Sequence, residues 1–240
     1  PYVCRISDDG SLHYRRRTGS IRPYAYPAII MKPETIIVFI SAAIVPYMVC
    51  GLNPAIVMSK LIYHRDIREL GSKNPGFTNF KRVFGGKYAW FVFLLDILKS
   101  FIVCLAAGFA FGAVGENFQL GAAYAGLFAM LGHCFPIWYK FNGGKAFLVA
   151  VGSIWLIDWR TALIAMTIMM ILLFTVKFMS LSVIIAGISC PITLAIFGTP
   201  LPVLILCILS VALMTWRHKE NIKRLINGTE PKFSLKSKKA

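Results

Sequence analysis

The sequence predicts an all-α, polytopic integral membrane protein of about seven transmembrane helices joined by short polar loops. Three observations lead there. Hydrophobic residues make up 57% of the 240 and charged residues 15%, with a mean hydropathy of +0.67, too apolar for a soluble domain of this length. The apolar residues gather in long runs, several of them near the roughly 20 residues a helix needs to cross a bilayer. The basic residues behind the formal net charge of +16 lie between and after those runs. That placement suits loops facing an anionic leaflet and argues against nucleic acid as the partner.

Residues 1–33 read as an N-terminal extension. They carry Arg15, Arg16 and Arg17 among scattered Tyr and Pro, with no long apolar run, and are expected to be poorly ordered; they lack the apolar core of a signal peptide. The membrane domain is expected over 34–233, followed by a basic tail over 234–240. Its first span runs over 34–59, with kinks expected at Pro46 and Pro54. Further spans are expected at 88–113, 119–138, 146–157, 161–176, 182–197 and 203–216. With an odd number of spans the loops at 60–87, 140–145 and 177–181 and the tail from Arg217 share one side. That side holds most lysines and arginines, whereas the short loops opposite hold only Arg160, so it is expected to be cytoplasmic. The basic extension alone runs against this trend.

Four polar patches fall on that side. The passage GSKNPGFTNFKR, residues 71–82, combines Gly71 and Gly76, which free the backbone, with Pro75 and with Ser72, Asn74, Thr78 and Asn79 beside Lys73, Lys81 and Arg82. Such a passage is an anion cradle or an ordinary connection between membrane helices. In GHCFPIWYKFNGGK, residues 132–145, Gly143 and Gly144 precede Lys145, a second flexible backbone beside an ammonium; His133 there is a ligand or a structural residue. KFMSLS, residues 177–182, offers Ser180 and Ser182, which in a membrane helix often serve a neighbouring helix. In RHKENIKRLINGTEPKF, residues 217–233, His218, Asn221 and Arg224 share one helical face up to Gly228, on a charged run that could equally be solvated.

These strings raise a more specific expectation. GSKNPGFTNFKR resembles the GSGNPGATNxxR signature of the bacterial acyl-phosphate:glycerol-3-phosphate acyltransferases, membrane enzymes that make lysophosphatidic acid. GLNP at 51–54 resembles the family's GSIP, 132–145 its GHxFPxxxxFxGGK, 177–182 its R/K-x-x-S-L-x-S element, and 218–230 its HxxNIxRLxxGxE; the family's LLDxLKG element carries the same acid and base as Asp96 and Lys99. The resemblance covers roughly 35–233. It implies acyl transfer from acyl phosphate to the 1-hydroxyl of glycerol 3-phosphate at a multi-pass enzyme of the inner (plasma) membrane, facing the cytoplasm. It implies catalytic roles for Ser72, Lys145, His218 and Asn221, and substrate contacts from Asn74, Gly76, Thr78, Asn79, Arg82, His133, Gly143, Gly144, Ser180, Ser182 and Arg224. Gly228 and Glu230 are implied as functional or supporting residues. The partners implied are acyl phosphate, glycerol 3-phosphate and membrane lipid, with no nucleic acid, no cofactor and no metal.

Three positions depart from the family pattern: Lys73 stands for glycine, AFLV follows Lys145 where the family continues GKGVAT, and Lys177 stands where Arg is common. No HxxxxD motif of other glycerolipid acyltransferases is present, since Thr18, Glu69, Trp138 and Lys223 stand five places after the four histidines. Asp96 and Lys99 in an apolar span read as a packing pair, and Gly108 with Gly112 as a packing motif. The six cysteines are far apart, without CxxC, and read as small core residues. Two other functions stay open: a transporter of an anionic metabolite using Asp96 and Lys99 as its pathway, and an inactive member of the same fold.

Overall fold

The computed structural model describes residues 2–6, 12–16 and 32–233. By internal contacts the chain divides into an N-terminal unit and a helical unit that begins at Glu34. In the first, Tyr2–Ile6 (β1) and Leu12–Arg16 (β2) pair antiparallel, Tyr2 opposite Arg16 and Ile6 opposite Leu12. Both strands lie within the expected extension, in stretches where Tyr, Val, Ile and Leu favour pleated backbone. Its remaining residues, and the basic tail at 234–240, lie outside the described residues.

The helical unit opens with α1 (Pro33–Gly51) and α2 (Pro54–Tyr63). They break where Pro54 has no N–H to continue the ladder, and Asn53 Oδ1 accepts from the Ile56 N–H at 3.1 Å to start α2. Pro46, by contrast, is carried inside α1. After the short α3 (Phe77–Phe84) come three out-and-back pairs: α4 (Ala89–Ala113) with α5 (Phe118–Cys134), α6 (Phe147–Ile157) with α7 (Trp159–Thr175), and α8 (Met179–Ile196) with α9 (Leu201–Arg217). The chain then bends by 58° into α10 (Lys219–Ile226). The seven expected apolar segments are therefore all helical. Among the described residues four segments are long and apolar enough to cross a membrane, Pro33–Tyr63, Ala89–Ala113, Phe118–Tyr139 and Met179–Ile196, and up to five if the bent pair of α9 and α10 counts as one span. At 11 and 17 residues, α6 and α7 fall short of that measure.

Small residues let the helices approach. A Cβ on Gly121 would lie 2.6 Å from the Ala107 carbonyl, and one on Gly152 2.6 Å from the Ile97 carbonyl, so α5 and α6 both pack backbone-close against α4. Gly108 meets the Phe118 ring while Gly112 faces open space, so only the first glycine of that pair packs. Phe111, Met130 and Val149 are among the buried side chains between these helices. Ile37, Leu61, Phe109 and Ile196 point outward and exposed, a surface suited to lipid in a multi-pass membrane protein. Cys50, Cys104, Cys134, Cys190 and Cys207 are buried and unpaired, as core cysteines should be.

Candidate active site

The residues 71–82, a loop running into the first turns of α3, are organised from inside by Asn79. Its buried side chain accepts from the Ser72 N–H at 2.8 Å and donates to the Leu70 carbonyl at 2.9 Å, while Asn53 donates to the Pro75 carbonyl at 3.0 Å. Gly71 sits at φ +57°, and its missing Cβ leaves room for the Asn79 amide. The loop so held turns Ser72, Asn74, Gly76, Thr78 and Arg82 toward one cavity. Asn79 lines the cavity too, but its amide is spent on the loop, which makes it an organiser more than a substrate donor. Lys73, where the family motif has glycine, adopts φ +60°; so does Ala146, where GKG would place another. The left-handed turns are kept, at a cost of about 1–2 kcal/mol for a residue with a Cβ.

The second glycine element works differently from expectation. A Cβ on Gly144 would overlap the His133 ring and one on Gly143 the His133 carbonyl, the Gly144 N–H donates to that carbonyl at 3.0 Å, and Arg217 donates to the carbonyls of Gly144 at 3.0 Å and Gly143 at 2.9 Å. Gly143 and Gly144 are therefore packing positions that let His133 and Arg217 close in, and they do not line the cavity. Lys145, next in sequence, does. Ser182 is buried, donates to the Phe178 carbonyl at 2.9 Å within its own helix, and is not among the residues lining the cavity. Ser180 lines the cavity.

The opposite wall is a network around Glu230. Lys145 Nζ donates to Asn221 Oδ1; Asn221 Nδ2 and Ser180 Oγ donate to Glu230 Oε1 at 2.6 and 2.7 Å; Arg224 Nε donates to Glu230 Oε2 at 2.7 Å. Burial would raise the Glu230 carboxyl, but the bonds from Asn221, Ser180 and Arg224 outweigh it and hold the group below the usual range. Burial, with Arg224 and Arg217 nearby, lowers Lys145 to about 8. His218 is buried just past the end of α9, and burial pushes it down to about 4, so it is neutral at pH 7. Its Nδ1 lies 2.8 Å from the Met214 carbonyl, which can only accept; Nδ1 is thus assigned the proton and Nε2 the lone pair.

Together these walls enclose about 360 Å³, within the range of small-molecule sites. Four helices begin at this cavity. The residues before α3, α6, α8 and α10 are Gly76, Ala146, Phe178 and His218, none of which caps its helix with a side chain, and Thr78, Phe147, Ser180 and Asn221 from the four first turns line the space. Open N–H groups at helix starts form a ready anion site. Asp96 and His133 also border it. Lys99 Nζ lies 2.8 Å from Asp96 Oδ1, donates to the Cys50 and Leu52 carbonyls freed at the break after α1 (2.9 Å each), and stands 3.2 Å from His133 Nδ1. The pair thus ties α4 to the break and to α5, which is its expected packing role.

The profile of the family described as glycerol-3-phosphate acyltransferase matches residues 40–228, from α1 to the turn after α10. The chain belongs to that family. A glycerol-3-phosphate acyltransferase of Thermoanaerobacter sp. (strain X514) is 34% identical over 195 residues, covering 81% of this chain and 96% of the relative. That of Aquifex aeolicus (strain VF5) is 38% identical over 168 residues, covering 70% and 85%. Two crystal structures of PlsY, an integral membrane glycerol 3-phosphate acyltransferase, share the fold. The glycerol 3-phosphate form aligns with a TM-score of 0.74 at 34% identity over 83% of this chain and 96% of that one; the lysophosphatidic acid form aligns at 0.72 and 33%, over 83% and 95%. The protein is thus an acyltransferase of glycerol 3-phosphate. Within the family site, sequence reasoning missed the structural work of Arg217 and the hub position of Glu230, whose partners lie up to 50 residues away.

Proposed function

We propose that the protein transfers an acyl group from acyl phosphate to the 1-hydroxyl of glycerol 3-phosphate, releasing lysophosphatidic acid and phosphate. What carries this reading is one cavity with two separate donor walls: Ser72, Asn74, Thr78 and Arg82 on the α3 side, and Lys145, Asn221 and Arg224 on the α10 side. Two substrates with one phosphate each suit two such walls. In the reaction the hydroxyl oxygen forms a bond to the acyl carbon, and the bond from that carbon to the phosphate oxygen breaks. His218 Nε2 accepts the hydroxyl hydrogen bond and aligns it; a group held near 4 is a weak base, so the proton ends on the departing phosphate. The donors stabilise the developing oxyanion and the leaving phosphate, and alignment supplies much of the remaining acceleration.

The same reading places the site at the cytoplasmic face of the inner (plasma) membrane, with seven crossings and lipid around the outward apolar faces. The convergence of 71–82, 132–145, 177–182 and 217–233 supports it, because each returning pair of helices must then cross and come back. Cysteines substituted for Lys140 and Lys219, both exposed, should resist an impermeant thiol reagent in intact cells; labelling of either above the parent's background would reject that orientation. For the reaction, labelled glycerol 3-phosphate should be acylated by palmitoyl phosphate without added metal or cofactor, and not by palmitoyl-CoA or acyl-carrier protein. A comparable rate from a thioester would overturn the acyl-phosphate reading.

A further inference from the structure

Glu230 places an anion in a cavity built for anions. Asp96, the other carboxylate lining the cavity among the described residues, is matched by Lys99 at 2.8 Å, whereas Glu230 draws on the very groups expected to hold substrate. It does not exhaust them. An ammonium has three donors, a primary amide two and a guanidinium five. Lys145 gives one proton to Asn221, Asn221 gives one to Glu230, and Arg224 gives only its Nε proton, so each keeps donors for a substrate oxygen. Ser180 gives its single proton to Glu230 and is left to accept.

The bonds also set direction. With Nδ2 held by Glu230, the Asn221 amide must turn Oδ1 toward Lys145, which fixes where that ammonium sits. The hub is itself anchored: the Glu230 N–H donates to the Arg224 carbonyl at 3.1 Å, and the Phe233 N–H to the Lys177 carbonyl at 2.6 Å.

We propose that Glu230 is a positioning residue for acyl transfer, orienting Asn221 and Arg224 and, through Asn221, aiming Lys145 at the substrate phosphate and holding it in its charged form. The charged groups that face Lys145 are Arg224, Glu230 and Glu220 from α10 and its following turn and Arg217 at the end of α9, with neutral His218 beside them; Glu230 is the carboxylate nearest in the network. The inference rests on the cavity being the substrate phosphate site.

The test is kcat/KM for glycerol 3-phosphate against pH from about 6 to 10, with whichever acyl donor the wild type uses. Wild type should lose activity on the alkaline side as Lys145 deprotonates, and Lys145→Arg should lack that limb. In Glu230→Gln the limb should move down by about one pH unit, the usual size for removing one close opposite charge. Its kcat/KM at neutral pH should fall roughly ten- to a hundredfold, as for loss of an aligned donor set. Glu230→Asp, with the carboxylate withdrawn by one methylene, should show smaller changes of the same sign. A role confined to folding would lower the yield of active protein without moving the limb. Folded Glu230→Gln with the wild-type limb overturns the proposal; if that variant does not fold, an unmoved limb in Glu230→Asp does so. A limb that persists in Lys145→Arg would instead reject the reading of the cavity itself.

Discussion

Helix starts differ across the bundle: of the three away from the cavity, α5 and α7 carry a side-chain cap and α9, which begins after Pro200, carries none, whereas none of the four at the cavity is capped. Away from the cavity, α5 begins on Asn117, whose Oδ1 accepts from the N–H groups of Gln119 at 2.7 Å and Leu120 at 3.2 Å, and α7 begins on Asp158, which accepts from Arg160 at 2.9 Å and Thr161 at 3.0 Å. At the cavity, α3, α6, α8 and α10 begin on residues that cap nothing. A missing cap costs about 1 kcal/mol per helix. Leaving four uncapped around one space is therefore a stability cost that makes sense if a ligand completes them.

The comparison can be broken by exchanging the two arrangements. Gly76→Asp is the strongest case, because Gly76 has extended backbone at φ −153° that any residue adopts, and the new carboxylate would cap α3 from within the cavity. It should lower kcat/KM by roughly a hundredfold through competition with substrate phosphate. The melting temperature should stay equal or rise, and a fall in both would mean the loop had collapsed.

A second effect is tied to pH. Lys145 in the free enzyme loses its proton near pH 8, so kcat/KM should fall about tenfold per unit above that value as the charged donor disappears. Stability runs the other way. The folded value lies below the ordinary 10.5, so between about 8 and 10.5 the unfolded chain holds a proton the folded one has shed, and stability from this group rises with pH across that window. Parallel loss of activity and of melting temperature would show that unfolding, not Lys145, sets the alkaline limb.

The smallest effect belongs to the far end. Asp158→Ala removes a cap and an Arg160 partner and should cost about 1 kcal/mol of stability while leaving kcat/KM within about twofold. A catalytic defect there would erase the distinction between the two ends.

Much of this was legible in the sequence. The apolar runs locate every long helix to within a few residues, since hydropathy alone marks a span, and the four patches carry motifs specific enough to name the family. The resemblance also implied site roles for Ser72, Asn74, Thr78, Arg82, Lys145, His218 and Asn221, all of which line the cavity. Positions whose meaning depends on distant partners were not legible. Gly143 and Gly144 look like a phosphate turn until His133 and Arg217 are seen pressed against them, and Ser182 differs from Ser180 only in which side of α8 it occupies. The family resemblance implied a functional or supporting role for Glu230 but not its place as a hub, because Ser180 reaches it only through the fold. A signal for the open helix starts was present and unused: Gly, Ala, Phe and His stand where Ser, Thr, Asp or Asn would be expected.

The central claim is that two walls of one cavity hold two phosphates, and two-substrate kinetics of Asn74→Ala and Arg224→Ala address it most directly. The account predicts a divided outcome, in which one variant raises KM chiefly for glycerol 3-phosphate and the other chiefly for the acyl donor. Both variants raising KM for the same substrate, with the other substrate's KM unchanged, would contradict it and leave a single phosphate spanning both walls.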